Sequence, residues 1–110
     1  MPSQNPPTIT REGEKAVLHL DGNLTAAEVS ALREVIKALV AEGVRELAVD
    51  LAGVQGIDSS GIGLLVATHN SLARLSGSLT VINASADLLE LFKAFRMDKH
   101  FSVRGTLAAG

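Results

Sequence analysis

The residues best suited to chemistry are six in a row, Asp58-Ser59-Ser60-Gly61-Ile62-Gly63, where a loop gives way to an apolar helical pattern. Asp and Ser in that position are ordinary N-caps, contributing about 1 kcal/mol, and glycines there permit close packing. The same string is open to a second chemistry. A phosphoryl group on Ser59 would carry a charge of about −1.5 to −2 beside unpaired backbone N–H groups and the positive end of a helix dipole. A helix terminus tolerates such an anion, so the fold survives phosphorylation. A partner docked there would instead meet a bulky new charge next to Asp58. Gly61 and Gly63 add little bulk around Ser59, which lets another protein's active site approach. The string therefore permits a rigid switch: the fold stays and the binding surface changes.

Other chemistries lack their residues. His19, His69 and His100 fall on different segments without ligand spacing, and neither HxxxH nor HExxH occurs, so no metal site is assigned. Ser59 lacks the GxSxG elbow, and a nucleophilic Ser59 would need a His within hydrogen-bond reach. Gly61-Ile62-Gly63 has neither a third Gly nor a Walker Lys-Ser/Thr, so it is no phosphate-binding fingerprint. Asn83-Ala84-Ser85 fits a glycosylation sequon but reads as a helix cap. No catalytic residue and no cofactor is expected.

The elements that must position Ser59 follow from periodicity. Thr8-Ile9-Thr10 begins a first strand, Glu12-Gly13-Glu14 turns it, and Ala16 to Leu20 forms a second strand that Asp21-Gly22-Asn23 breaks. Thr25 with Glu28 makes a capping box, and Leu24 with Val29 a hydrophobic staple, at the start of the first helix. Leu32, Val35, Ile36, Leu39 and Val40 continue its apolar stripe, and Gly43 closes it. Leu47, Val49 and Leu51 alternate along a strand. A second helix follows Asp58, with Leu64, Leu65, Thr68, Leu72 and Leu75 on its face and Gly77 as the stop. Leu79 to Ile82 is a strand, Ser85 starts a third helix, and Phe101-Ser102-Val103 is a last short strand. The fold class is α/β: a mixed sheet of four to five strands packed against three to four helices, with the first two strands in an antiparallel hairpin.

Composition bounds the rest. The 110 residues fit one domain, divided into a flexible lead-in over 1–7, a folded unit over 8–104 and a tail over 105–110. Hydrophobic residues make up 46 %, enough for a core, while a net charge of −2 and three Phe without Trp or Tyr leave no basic stripe or stacking platform for nucleic acid. Cys is absent, which removes disulfides and thiolate chemistry. No run approaches the roughly 20 apolar residues that span a bilayer, and MPSQNPP has no secretory signal character, so a cytoplasmic protein is expected.

Five segments together carry a family likeness: Leu20-Asp21-Gly22-Asn23-Leu24, Val49-Asp50-Leu51-Ala52-Gly53-Val54, Ile57 to Leu65 around Ser59, Gly77 to Ile82, and Phe95 to Phe101. In this order the sequence resembles a STAS domain of the anti-sigma factor antagonist type, over residues 8 to about 104. The resemblance implies a regulatory module and no enzyme. Such a module binds an anti-sigma factor that is itself a serine kinase using ATP and Mg²⁺, is phosphorylated at the position of Ser59 and released, and is reset by a serine phosphatase. It further implies a partner surface of Asp21, Asn23, Thr25, Asp58, Ser59, Ser60, Gly61 and Gly63, with Asp58 beside the modified hydroxyl. The family commonly carries an acidic residue where Thr25 stands, a role not carried over to Asp21. Other STAS domains dock constitutively in signalling, secretion or transport assemblies, and the Asp58-Ser59 pair favours the phosphorylated class.

Overall fold

The computed structural model describes residues 7–97 and 102–105. Residues 1–6 of the expected lead-in, 106–110 of the tail, and His100 with Phe101 lie outside the described residues. Strand β1 (Thr8–Glu12) turns through Gly13, at φ 62°, into β2 (Lys15–Leu24). Helix α1 (Ala26–Ala41), strand β3 (Glu46–Ile57), helix α2 (Ser59–Arg74), strand β4 (Ser78–Ala84), helix α3 (Ala86–Ala94) and strand β5 (Ser102–Gly105) follow. The sheet order is β1-β2-β3-β4-β5, with β1 antiparallel to β2 and every other neighbour pair parallel. The mixed α/β sheet with three helices matches the sequence reading.

Alternation decides which sheet face is covered. Ala16 and Leu18, Leu47, Val49 and Leu51, and Leu79 and Val81 are buried and form one core with Leu32, Ile36 and Leu39 of α1, Leu65 and Leu72 of α2, and Leu88 and Phe92 of α3. Residues of opposite parity, among them His19, Ala48, Asp50 and Thr80, stay half-buried on the other face. Burying each large aliphatic side chain favours the fold by about 1.5–3 kcal/mol, so the two-fold pattern in the strands orients the whole sheet.

Two expected boundaries need correction. The Asp21-Gly22-Asn23 segment does not end β2; pairing continues through Asp21↔Gly53, Gly22↔Val54 and Leu24↔Ile57, with register shifts on either side. Gly22 takes φ 84°, and a Cβ on Gly53 would lie 2.8 Å from Asp21 Oδ1. The glycines that resemble turn signals thus permit bulged pairing and close strand approach. The second correction concerns the end of α2. Ser76, at φ 63°, takes the left-handed position, and Gly77 N–H bonds Leu72 O at 2.7 Å in a Schellman motif. Gly77 is required for space, since its Cβ would fall 2.2 Å from Arg45 O. At the end of α1, Gly43 closes the helix as expected, at φ 106°, with Val44 N–H bonding Leu39 O.

Candidate functional site

The prolonged ends of β2 and β3 deliver the chain to two helix N-termini lying side by side. Such carboxyl ends of parallel strands are where open α/β sheets present functional groups. Asp58 N–H donates to Leu24 O at 3.2 Å, which ties the entry of α2 to the end of β2. Its side chain serves both helices. Oδ1 accepts from Gly61 N–H at 3.1 Å, capping α2, and Oδ2 accepts from Ala26 N–H, the first of α1, at 3.2 Å. The sequence motif foretold the first bond; the second needed the fold, because the two residues are 32 positions apart.

Ser59, the first residue of α2, is exposed, and no hydrogen bond holds its hydroxyl among the described residues. The Asp58 carboxylate is engaged by backbone N–H groups, and Ser60 is half-buried behind Ser59. The two motif glycines differ. A Cβ on Gly61 would meet Leu24 O at 2.6 Å and Ile57 Cγ2 at 2.8 Å, so Gly61 is required by packing. A Cβ on Gly63 would meet nothing within 4 Å. Gly63 stands one turn after Ser59 on the same face, and helical side chains lean toward the N-terminus, over the preceding turn. Its bare Cα therefore leaves the space above Ser59 open.

Asp21 and Asn23 are exposed at the same end of the sheet, on the bulged part of β2, and Thr25 is half-buried at the head of α1. The Thr25 box forms through Glu28, whose carboxylate accepts both Thr25 N–H, at 3.0 Å, and the Thr25 hydroxyl. The Glu28 backbone N–H also donates to Thr25 O at 2.9 Å. Leu24 and Val29 are buried as a staple requires. Although Thr25 is not acidic, the bond to Glu28 brings a carboxylate to its side.

Asp50 is a polar node that the sequence reading passed over. Its carboxylate accepts from Asn83 Nδ2 (3.0 Å) and Ala52 N–H (2.9 Å) and pairs with His19 Nδ1 at 2.8 Å, while His19 Nε2 lies 3.3 Å from Thr10 Oγ1. Burial pushes the Asp50 carboxyl up, but the bonds from Asn83, Ala52 and His19, with the His19 charge, outweigh it and hold the group below its ordinary value. The usable signal was parity, since Asp50 and His19 stand at uncovered positions of otherwise apolar strands. No cluster of three or more His, Cys, Asp or Glu residues that could hold a metal occurs among the described residues.

Residues 8–107 match the family model described as Mlab, STAS domain. The chain belongs to the STAS domain family. An anti-sigma-B factor antagonist of Staphylococcus epidermidis is 34 % identical over 71 residues, which cover 64 % of this chain and 66 % of that protein, just short of two thirds of its length. Among solved structures, an anti-sigma factor antagonist from Mycobacterium paratuberculosis superposes with a TM-score of 0.80 at 24 % identity, covering 94 % of this chain and 87 % of that one. The Bacillus cell fate determinant SpoIIAA in its phosphorylated form gives 0.72 at 20 % identity, covering 88 % and 89 %. At these identities the structural likeness establishes the STAS fold. No helix among the described residues is long and apolar enough to cross a membrane.

Proposed function

We propose that this STAS domain is an anti-sigma factor antagonist whose hold on an anti-sigma factor serine kinase is released by phosphorylation of Ser59. The observation that carries the reading is the exposed Ser59 at the head of α2, its hydroxyl without a hydrogen bond among the described residues, with open space left by Gly63. The likeness to the staphylococcal anti-sigma-B factor antagonist supports the same reading. In the transfer, Ser59 Oγ bonds the γ-phosphorus of ATP as the bond to the bridging oxygen breaks. ADP leaves with that oxygen, and the hydroxyl proton passes to a base of the kinase. The product anion lies against a helix N-terminus, where the dipole favours it, so the domain stays folded while the docked kinase is repelled. On this reading Asp21, Asn23, Thr25, Asp58 and Ser60 belong to the contact surface with the kinase. A serine phosphatase resets the switch by hydrolysis, releasing inorganic phosphate. The module acts in the cytoplasm, without direct nucleic-acid contact or membrane insertion.

Incubation with the cognate kinase and Mg·ATP, read by mass spectrometry, is expected to add one phosphate, at Ser59. Ser59→Ala is expected to abolish it and keep the complex intact under ATP, and Ser59→Asp to weaken binding. Phosphate at another residue, or none with a kinase of proven activity, overturns the reading.

One observation favours a constitutive docking subunit instead: a groove of about 430 Å³ between α1 and α2, floored by Ile36, Val40, Leu64 and Ala67. On that reading binding ignores Ser59→Asp and is lost when Ala67→Trp fills the groove.

A further inference from the structure

Asp58 spends one oxygen on each of two helices, and only one of those bonds serves the helix it begins. Oδ1 caps α2 through Gly61 N–H, while Oδ2 reaches Ala26 N–H at the head of α1. The acid is therefore a clamp between the two N-termini as well as a cap. After Ala26 in α1 comes Glu28, which closes the box on Thr25, and before Ala26 come Thr25, Asn23 and Asp21, three residues of the surface assigned to the partner. The residue next to the clamp is Ser59. Resting on the reading of Ser59 as a phosphorylation site, we propose that phosphoserine at 59 breaks the Asp58–Ala26 bond and so loosens the first turn of α1, carrying the signal from the modified residue to Asp21, Asn23 and Thr25.

The physical argument is competition. A phosphate on the adjacent residue places about −1.5 to −2 charges beside the Asp58 carboxylate, and both anions then compete for the same small set of helix N-terminal N–H groups. The Gly61 bond closes a short local cap within α2. The Ala26 bond spans two elements and has no covalent neighbour to enforce it, so it is the one that yields. α1 itself stays anchored by Leu24, Val29 and Leu32 in the core, which confines the loosening to its first turn.

Asp58→Asn separates the two bonds. Its amide oxygen still caps Gly61, while its NH₂ cannot accept from Ala26. The full chain is made with phosphoserine incorporated at 59, so no kinase is needed, and amide exchange and shifts are followed by NMR. Exchange at Ala26 is expected to quicken about tenfold on phosphorylation and similarly with Asp58→Asn alone, with the α2 amides unchanged by Asp58→Asn. Phosphoserine added to Asp58→Asn is expected to change Ala26 no further. Asp58→Ser, a cap too short to reach α1, serves if Asp58→Asn fails to fold. An Ala26 amide that ignores phosphoserine, or one that responds equally without the Asp58 carboxylate, overturns the clamp. Kinase affinity of the phosphoserine protein is measured in parallel. Undiminished affinity there defeats the switching reading, whatever Ala26 does.

Discussion

The heads of α1 and α2 stand side by side, each with one carboxylate at its cap, and they use it differently. At α1 the acid comes three residues after the cap, and Glu28 folds back on Thr25 N–H and hydroxyl while Leu24 and Val29 close beneath. That start is sealed by its own residues except at Ala26 N–H, which goes to Asp58. At α2 the acid is the cap itself, its two oxygens are divided between two helices, and the following hydroxyl is left exposed. Placing the acid before the helix frees the first-turn side chains from capping, so Ser59 is available to a visitor. Sealing and access are thus set by where the carboxylate sits relative to the cap, with the same backbone geometry beneath.

The two glycines of α2 test how far that access is built in. Gly61→Ala is expected to produce the largest loss, because its Cβ would press on Leu24 O at 2.6 Å, a backbone atom that cannot move without disturbing the end of β2. The destabilisation should be about 3 kcal/mol, read from the urea midpoint, despite the better helix propensity of Ala. An unchanged midpoint would show that the α2 head is not wedged against β2. Gly63→Ala should act in the opposite direction, since nothing lies near its Cβ. Stability is expected to rise by about 1 kcal/mol, while phosphorylation of Ser59 by the cognate kinase slows about tenfold because the methyl takes up open space through which the kinase must approach. A stabilised variant phosphorylated at the wild-type rate would mean that Gly63 clears nothing.

Legibility of the sequence followed the range of the interactions. The α1 box, its staple, the Gly43 closure and the Asp58–Gly61 cap are bonds within six residues, so their donors and acceptors appear together in the chain. The two-residue alternation of Leu47, Val49 and Leu51 likewise announced its strand. The Asp58–Ala26 bond depends on how two crossover units sit side by side, and no local pattern encodes it. The extension of β2 through Asp21-Gly22-Asn23 was hidden for a related reason. Glycine and Asn score as turn formers locally, yet pairing with β3 holds them in a bulged strand.

Asp50 sharpens the comparison from the uncovered face of the sheet. Like Asp58 it joins separate elements, but its partners on β2 and β4 and the Ala52 N–H hold it below its ordinary pKa of 3.8. A carboxyl lowered in the folded state stabilises the fold above its unfolded pKa, and that contribution fades as pH falls through the folded value. Wild type should therefore exceed Asp50→Asn in urea midpoint at about pH 5, with the gap narrowing toward about pH 3. The effect should be the smallest of those considered, since His19 is partly exposed and solvent screens the pair. A gap that stayed constant across that range would mean that Asp50 contributes shape and hydrogen bonds but no charge-dependent stability. The carboxylate bridging β2, β3 and β4 would then differ from Asp58 in kind, leaving the α1–α2 junction as the place where a new negative charge alters how two elements are held together.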